Sequence, residues 1–408
     1  MFDVKKVRED FPMFKNNPNV IYLDNASTTF KPQCVIDAVN DYYVNESVNV
    51  HRGDYDLSYQ VSKEYEDARE TVAKFINAEP KEIVFTSGAS MSLNLVAYGY
   101  GRKFLKKGDV ILSTEAEHAS NILPWFKVCE EVGTTIEYIP LTNQGEMTIE
   151  AFKKAIESYP NVKVIAMANV SNVLGYLQPI EEITRIAHEH GAIVVCDGAQ
   201  SVPHVPCDVK KWGVDFLAFS GHKMCAPTGI GVLYGRYDLL QLTDPFMLGG
   251  GSNARFDICG NILLKDAPYK FESGTPAIEA VLGLKAAVEY LQNLGMENVY
   301  KYEHELRTYA SEKLQELTNI TFFNPHASTG ILTFNVNGVF AQDAASYLSS
   351  KGIAVRSGNH CAKILIELIK ASETIRSSFY FYNTKEEVDK FIETCKDITV
   401  ENCVGLFF

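Results

Sequence analysis

The chain has 408 residues, 46% hydrophobic and 22% charged, with a formal net charge of −13. That length and ordinary composition support a core of normal size in two domains, or in one large domain with an appendage. The acidic balance excludes a general nucleic-acid or anionic-membrane binder, since both need a cationic face.

In chain order, the N-terminal segment 1–14 has no long apolar run after its basic residues, so no secretory leader is expected. Strands are predicted at Glu82–Thr86, Asp109–Ser113, Thr135–Ile139, Val162–Ala168, Ala192–Cys196, Phe216–Ser220 and Gly231–Tyr234. Amphipathic patterns between them predict helices at Ser90–Lys106, Thr148–Ser158 and Ile180–His190. Strands this apolar are buried on both faces, which gives an α/β fold with a mostly parallel seven-stranded sheet covered by helices. From Ile278–Leu291 the pattern changes to a helix near Tyr300–Leu317, a strand at Gly330–Val336 and a helix at Ala341–Lys351. A short strand at Ala354–Arg356 and a helix at Lys385–Asp397 follow, completing a smaller α+β domain. The expected division is 20–285 for the large domain, with 1–19 and 286–408 forming the small one. No apolar run approaches the roughly 20 residues of a membrane span. The nine cysteines include no CxxC pair, so neither a metal site nor a disulfide framework is expected, and a cytoplasmic, reducing setting fits best.

In an open α/β sheet, sites form beyond the carboxyl ends of the strands. Four such ends carry chemistry. Thr86-Ser87-Gly88-Ala89-Ser90 lies between a strand and a helix, where small residues let backbone N–H groups cradle a phosphate, although Ser90 is equally an ordinary N-cap. Glu115-Ala116-Glu117-His118 places a histidine where it can stack on a ring and move protons. Asp197 ends a strand, where a buried carboxylate is costly unless it meets a cation such as a ring nitrogen. Lys223, in Ser220-Gly221-His222-Lys223, follows one βα unit later and can form a Schiff base with an aldehyde cofactor. Each has a bland alternative: an N-cap, a structural histidine, an Asp-Gly turn, a surface lysine. Their succession along one sheet points to pyridoxal 5'-phosphate (PLP).

The sequence resembles the class V aminotransferase family of fold-type I PLP enzymes, and within it the SufS-type (group II) cysteine desulfurases. The likeness runs through Tyr22–Ala26, Asn49–Gly53, Asn121–Trp125, Val170–Gly175, Asp197–Gln200, Ser220–Lys223, Gly274–Pro276 and Ser378–Thr384. It implies that Lys223 binds the cofactor, His118 stacks on its ring, Asp197 pairs with the ring nitrogen and Gln200 meets the phenolic oxygen. Asn172 would lie near that oxygen and the substrate carboxylate, which Arg376 clamps. Ala89, Ser90, Ser220 and His222 would hold the phosphate, completed by Thr275 from the second subunit of a homodimer. Cys361 lies in a polar, Gly-containing loop with Arg356 and His360 close by, a setting that favours the thiolate. By resemblance it would take sulfur from L-cysteine and pass it to an acceptor protein, for needs such as Fe–S cluster assembly. The short spacing from Cys361 to Arg376 agrees with the SufS type. Tyr55, Ala119, Asn359, Lys363 and the run Met224-Cys225-Ala226 depart from the family pattern but remove no catalytic group. Two rival readings stay open: a selenocysteine lyase, which depends less on the loop cysteine, and a non-catalytic sulfur-relay scaffold.

Overall fold

A computed structural model describes residues 3–406. Its main sheet contains β1 (Ile83–Thr86), β2 (Val110–Thr114), β3 (Thr135–Ile139), β4 (Val162–Ala168), β5 (Ile193–Asp197), β6 (Phe216–Ser220) and β7 (Gly231–Gly235). Their spatial order is β1-β7-β6-β5-β4-β2-β3. Strands β6, β5, β4, β2 and β3 run parallel, and β7 is antiparallel to both its neighbours. Each observed strand lies within one residue of its predicted bounds.

The two-residue period of the strands feeds two separate cores. Phe85, Leu112, Ile165 and Met167 belong to one core, which also buries Val61, Tyr65, Val281 and Leu284 of helices Asp56–Phe75 and Ile278–Leu294. Val84, Ile111, Val164 and Ala166 face the opposite side, against Leu93, Val96, Trp125 and Val128. The apolar runs read as buried on both faces for this reason.

The helix predicted over 90–106 is interrupted. It runs as Ala89–Val96, a π-helical turn at Ala97–Gly101 and a short helix at Arg102–Phe104. The glycines explain the break: a Cβ on Gly99 would lie 2.1 Å from the Asp244 carbonyl oxygen, and one on Gly101 would lie 2.9 Å from the Trp125 ring. Neighbouring chain passes too close there for an ordinary helix surface.

The smaller sheet is antiparallel, built from β8 (Ile320–Phe322), β9 (Ile331–Val336), β10 (Arg356–Gly358) and β11 (Thr374–Ser378) in the order β8-β9-β11-β10. Helices Met296–Gln315, Ala341–Ser350 and Lys385–Lys396 cover it through Leu306, Leu348 and Phe391, packed on Leu332 and Phe334. The strand predicted at 354–356 divides: Ile353–Ala354 pairs in parallel with Ile21–Tyr22, and the chain then crosses to β10. At the C-terminus, a short helix over Val400–Val404 buries Cys403, while Leu406 is partly exposed; Phe407 and Phe408 lie outside the described residues. Among the described residues, no helix is long and apolar enough to cross a membrane.

Candidate active site

The carboxyl ends of β4, β5 and β6 open into a cavity of about 260 Å³. The loop 356–361 and β11 close it from the smaller domain. A larger, more open groove of about 1030 Å³, bordered by Leu177, Arg185, Trp212 and Tyr300, lies elsewhere and gathers none of the groups described below.

At one end of the cavity, β6 meets the helix that begins at Ala89. Ser220 Oγ accepts the Ala89 N–H at 2.8 Å, so its own proton remains available to an anion. Gly88 has φ +153°, and a Cβ on Gly231 would lie 2.4 Å from Gly88 Cα, so two glycines allow this close approach. Ser90 Oγ lies 2.6 Å from Ser120 Oγ, a hydroxyl that sequence reasoning did not single out. Burial first, then Lys223 and Lys31, push His222 down to about 4, which leaves it neutral at pH 7. Helix-terminal N–H groups and neutral hydroxyl and imidazole donors suit a phosphate.

Lys223 follows β6 in a single 3-10 turn, Gly221–Lys223. Burial presses its amine down to about 8; Asp197 and Cys361 work in the opposite direction, and Arg376 and Arg356 add to the fall. A sizeable free-amine fraction at neutral pH is what attack on an aldehyde requires. Asp197 is buried, and its Oδ1 accepts the Ala199 N–H at 2.9 Å. The other oxygen has no hydrogen-bond partner among the described residues. His118 caps the helix Ala119–Val132, its Nδ1 accepting the Ser120 N–H at 3.1 Å, so the neutral ring carries its proton on Nε2. Burial lowers its pKa against the pull of Asp197.

Four buried polar atoms of residues in the cavity wall lack partners: Gln200 Oε1, Asn172 Oδ1, Arg376 Nε and His360 Nδ1. Gln200 Nε2 donates to the Ala26 carbonyl at 2.7 Å, which fixes its amide orientation. Buried polar atoms are rarely left unpaired, so four around one cavity mark a polar occupant.

Arg376 lies on β11 and is buried. Its Nη1 donates to the Asn172 carbonyl at 2.8 Å, and its Nη2 to Ser27 Oγ at 2.8 Å and Asp24 Oδ1 at 3.1 Å. Arg356, quoted from sequence only as a neighbour of the loop cysteine, also enters the cavity and donates to Ser27 Oγ at 2.9 Å. Its location directly across from Arg376 on adjacent strands had no sequence signal, because β11 was not predicted.

Cys361 is exposed and lines the same cavity. Its carbonyl accepts the Ala119 N–H at 2.8 Å. His360, read from the sequence as a neighbour of this thiol, carries no charge beside it. Its ring is buried against Thr374, with Nε2 2.9 Å from Thr374 Oγ1, and burial with Arg376 and Arg356 drives it down to about 3. The neutral imidazole is therefore an anchor, and Arg356 is the cation in the loop.

The cavity thus gathers Lys223, Asp197, His118, Gln200, Asn172, Ala89, Ser90, Ser220, His222, Arg376 and Cys361. Thr275 is the exception: it is exposed, and its only hydrogen bond among the described residues comes from Asn49 Nδ2 at 3.4 Å. Glu117 was passed over as a neighbour of His118. It is buried and pushed up to about 7 by desolvation, against hydrogen bonds from Thr114 Oγ1 and Asn121 Nδ2, each at 2.7 Å.

A sheet of this topology, with a lysine, a carboxylate and an anion cradle at its strand ends, defines a class. The chain belongs to the aminotransferase class V family, which it matches over residues 21–391. More particularly, it is similar to cysteine desulfurases. The probable cysteine desulfurase of Halalkalibacterium halodurans is 44% identical over 390 residues, covering 94% of this chain and 95% of that one. Among solved structures, the apo cysteine desulfurase of Thermococcus onnurineus NA1 superposes with a TM-score of 0.93 at 38% identity, over 97% of this chain and 98% of that one. The Escherichia coli cysteine desulfurase CsdA, in an S-sulfonic acid form, gives 0.91 at 34% identity, over 100% and 99%.

Proposed function

We propose that this chain is a PLP-dependent cysteine desulfurase that converts L-cysteine to L-alanine and takes the sulfur onto Cys361 as a persulfide. The observation that carries the reading is the meeting of Lys223, Asp197 and Cys361 in one small cavity.

The residues present fit PLP: an anion cradle at Ala89, Ser90, Ser220 and His222, an uncommitted Asp197 oxygen for a ring nitrogen, and unpaired Gln200 and Asn172 atoms between them. When bound, PLP supplies the electron sink that no side chain offers. Lys223 Nζ binds the cofactor and moves the proton at the substrate Cα. His118, in the same cavity, would lie against the cofactor ring. Arg376, with Arg356 beside it, orients the substrate carboxylate. The Cys361 thiolate attacks the substrate sulfur; the new S–S bond forms as the Cβ–S bond breaks, and a proton completes the methyl group of alanine.

The enzyme acts as a homodimer of the SufS type, with Thr275 reaching the other subunit's phosphate site. Two features support the dimer. Thr275 lies away from its own cavity, and the hairpin of Asn253–Phe256 and Ile262–Leu264 exposes Phe256, Ile258, Ile262 and Leu263. Such a contiguous apolar projection marks an interaction surface. All nine cysteines are free, in accord with a cytoplasmic setting. The persulfide is handed to an acceptor protein, serving sulfur supply such as Fe–S cluster assembly.

The test is turnover of L-cysteine by the PLP-loaded enzyme, with L-selenocysteine assayed in parallel. With an added thiol as the two-electron reductant of the persulfide, alanine and sulfide should form from cysteine, and Cys361→Ala should abolish this while the cofactor absorbance persists. Unchanged cysteine turnover by that variant would overturn the assignment. Turnover confined to selenocysteine would favour the lyase.

A further inference from the structure

Two consecutive non-glycine residues, His360 (φ +49°) and Cys361 (φ +57°), hold left-handed backbone conformations. L-residues avoid this region, and such strain persists only where the surroundings over-determine it. Three clamps from three elements do so here. The Cys361 carbonyl is held by the first N–H of the helix Ala119–Val132. The His360 ring is buried and held by Thr374. The His360 carbonyl accepts Asn172 Nδ2 at 2.8 Å.

The third clamp is the one made by a side chain of the larger domain's cavity wall. A carbonyl needs a donor, so the His360 oxygen fixes the amide with Nδ2 toward the loop and Oδ1 unpartnered. The platform beneath Asn172 is rigid. Ser171 Oγ accepts the N–H groups of Val173 and Leu174, and residues of the smaller domain tie down the turn: Asn324 Nδ2 donates to the Leu174 carbonyl and Thr329 Oγ1 to that of Gly175, each at 2.7 Å. The Asn172 carbonyl in turn receives Arg376 Nη1. One residue therefore touches both the carboxylate-clamping arginine and the sulfur-bearing loop.

We propose that Asn172 is a positioning residue for Cys361: its amide holds the His360 carbonyl, and through it keeps the strained loop and its sulfur at the cavity. The kinetic arm of the test rests on the desulfurase reading; the chemical-modification arm does not.

The direct measurement is the rate at which iodoacetamide alkylates Cys361 in the PLP-loaded enzyme, followed by peptide mass spectrometry, with exposed Cys34 as the internal reference. In Asn172→Ala and in the isosteric Asn172→Asp, which replaces the donating NH2 with an oxygen, Cys361 alkylation should rise at least about threefold while the reference stays constant, because the loop can relax away from the cavity. Should the alanine variant fail to fold, the aspartate variant decides. Thr374→Val loosens the same loop from outside the cavity. It should lower kcat by about 10- to 100-fold, as misplacement of a reacting group by about 1 Å does, with KM for cysteine little changed. Cys361 alkylation at the wild-type rate in the 172 variants overturns the proposal even if desulfurase activity is confirmed. A chain with no desulfurase activity leaves the alkylation result able to decide it.

Discussion

Arg356 and Arg376 lie directly opposite each other on adjacent antiparallel strands, and both guanidinium groups donate to the hydroxyl of Ser27, at 2.9 and 2.8 Å. Ser27 Oγ in turn donates a hydrogen bond to Asp24 Oδ1 at 2.6 Å, and Asp24 is the only acidic group in this set. The cluster therefore keeps an excess of positive charge facing the cavity, and a substrate carboxylate is the natural balance. Arg376→Lys keeps the charge but loses the planar fork. With about 1.5–3 kcal/mol per charged hydrogen bond, KM for cysteine should rise about 10- to 100-fold. Steady-state kinetics checks this, together with an unchanged cofactor spectrum. A KM equal to wild type would remove Arg376 from the carboxylate site.

The reactivity of Lys223 should track its free-amine fraction. Burial brings the amine down to about 8, so the fraction able to attack an aldehyde rises with pH through that value. Uptake of PLP by cofactor-stripped protein, followed by absorbance, should accelerate through pH 8 and level off above it. Asp197 favours the charged amine, so Asp197→Asn should move the midpoint lower. Lys223→Ala should retain no covalently reducible cofactor.

Glu117 gives the fold a specific pH dependence. Its proton leaves near pH 7 in the folded chain and near 4.5 in a free side chain. Between those values the folded chain binds the extra proton, so this group's contribution to stability falls as pH rises. The slope reaches ~1.4 kcal/mol per pH unit for one full proton. His222 and His360 pull the other way, since their depressed values, about 4 and about 3, destabilise the fold as pH drops below about 6.5. Urea denaturation of wild type and Glu117→Gln from pH 5 to 7 isolates the glutamate. The difference in stability between the two should change in favour of the variant as pH rises, and parallel curves would contradict the assignment.

Gly231→Ala should damage the anion cradle without touching a donor. The added methyl would lie 2.4 Å from Gly88 Cα and 2.7 Å from the Phe219 carbonyl oxygen, and both are backbone atoms that cannot swing aside. Overpacking of this kind costs ~1–3 kcal/mol. Separation of β7 from the helix start should weaken PLP retention, measurable as faster cofactor loss on dialysis.

The main sheet was legible in the sequence because most of its strands are buried on both faces and read as apolar runs, several of them closed by a polar residue. That polar residue is where the chemistry lies: Asp197 ends β5 and Ser220 ends β6. The smaller sheet was less legible. Strand β11, Thr-Ile-Arg-Ser-Ser, is wholly buried yet mostly polar, because Arg376 and Ser378 reach the site and the residues joining it to the first domain. No apolar periodicity could mark it. The pairing of Arg356 with Arg376 and the hold of Asn172 on His360 depend on that strand and on long-range contact, so neither has a local signal. The neutral state of His360 was equally hidden, since it follows from burial against Thr374 and not from its neighbours in sequence.

The central claim is that sulfur passes from substrate to Cys361 within the cavity that holds Lys223. The most direct measurement is mass spectrometry of the Cys361 peptide after brief exposure of the PLP-loaded enzyme to L-cysteine, without reductant. The account predicts one added sulfur atom on Cys361, absent from the other eight cysteines and absent altogether in Lys223→Ala. Alanine formation with Cys361 unmodified, or a persulfide on another cysteine, would contradict it.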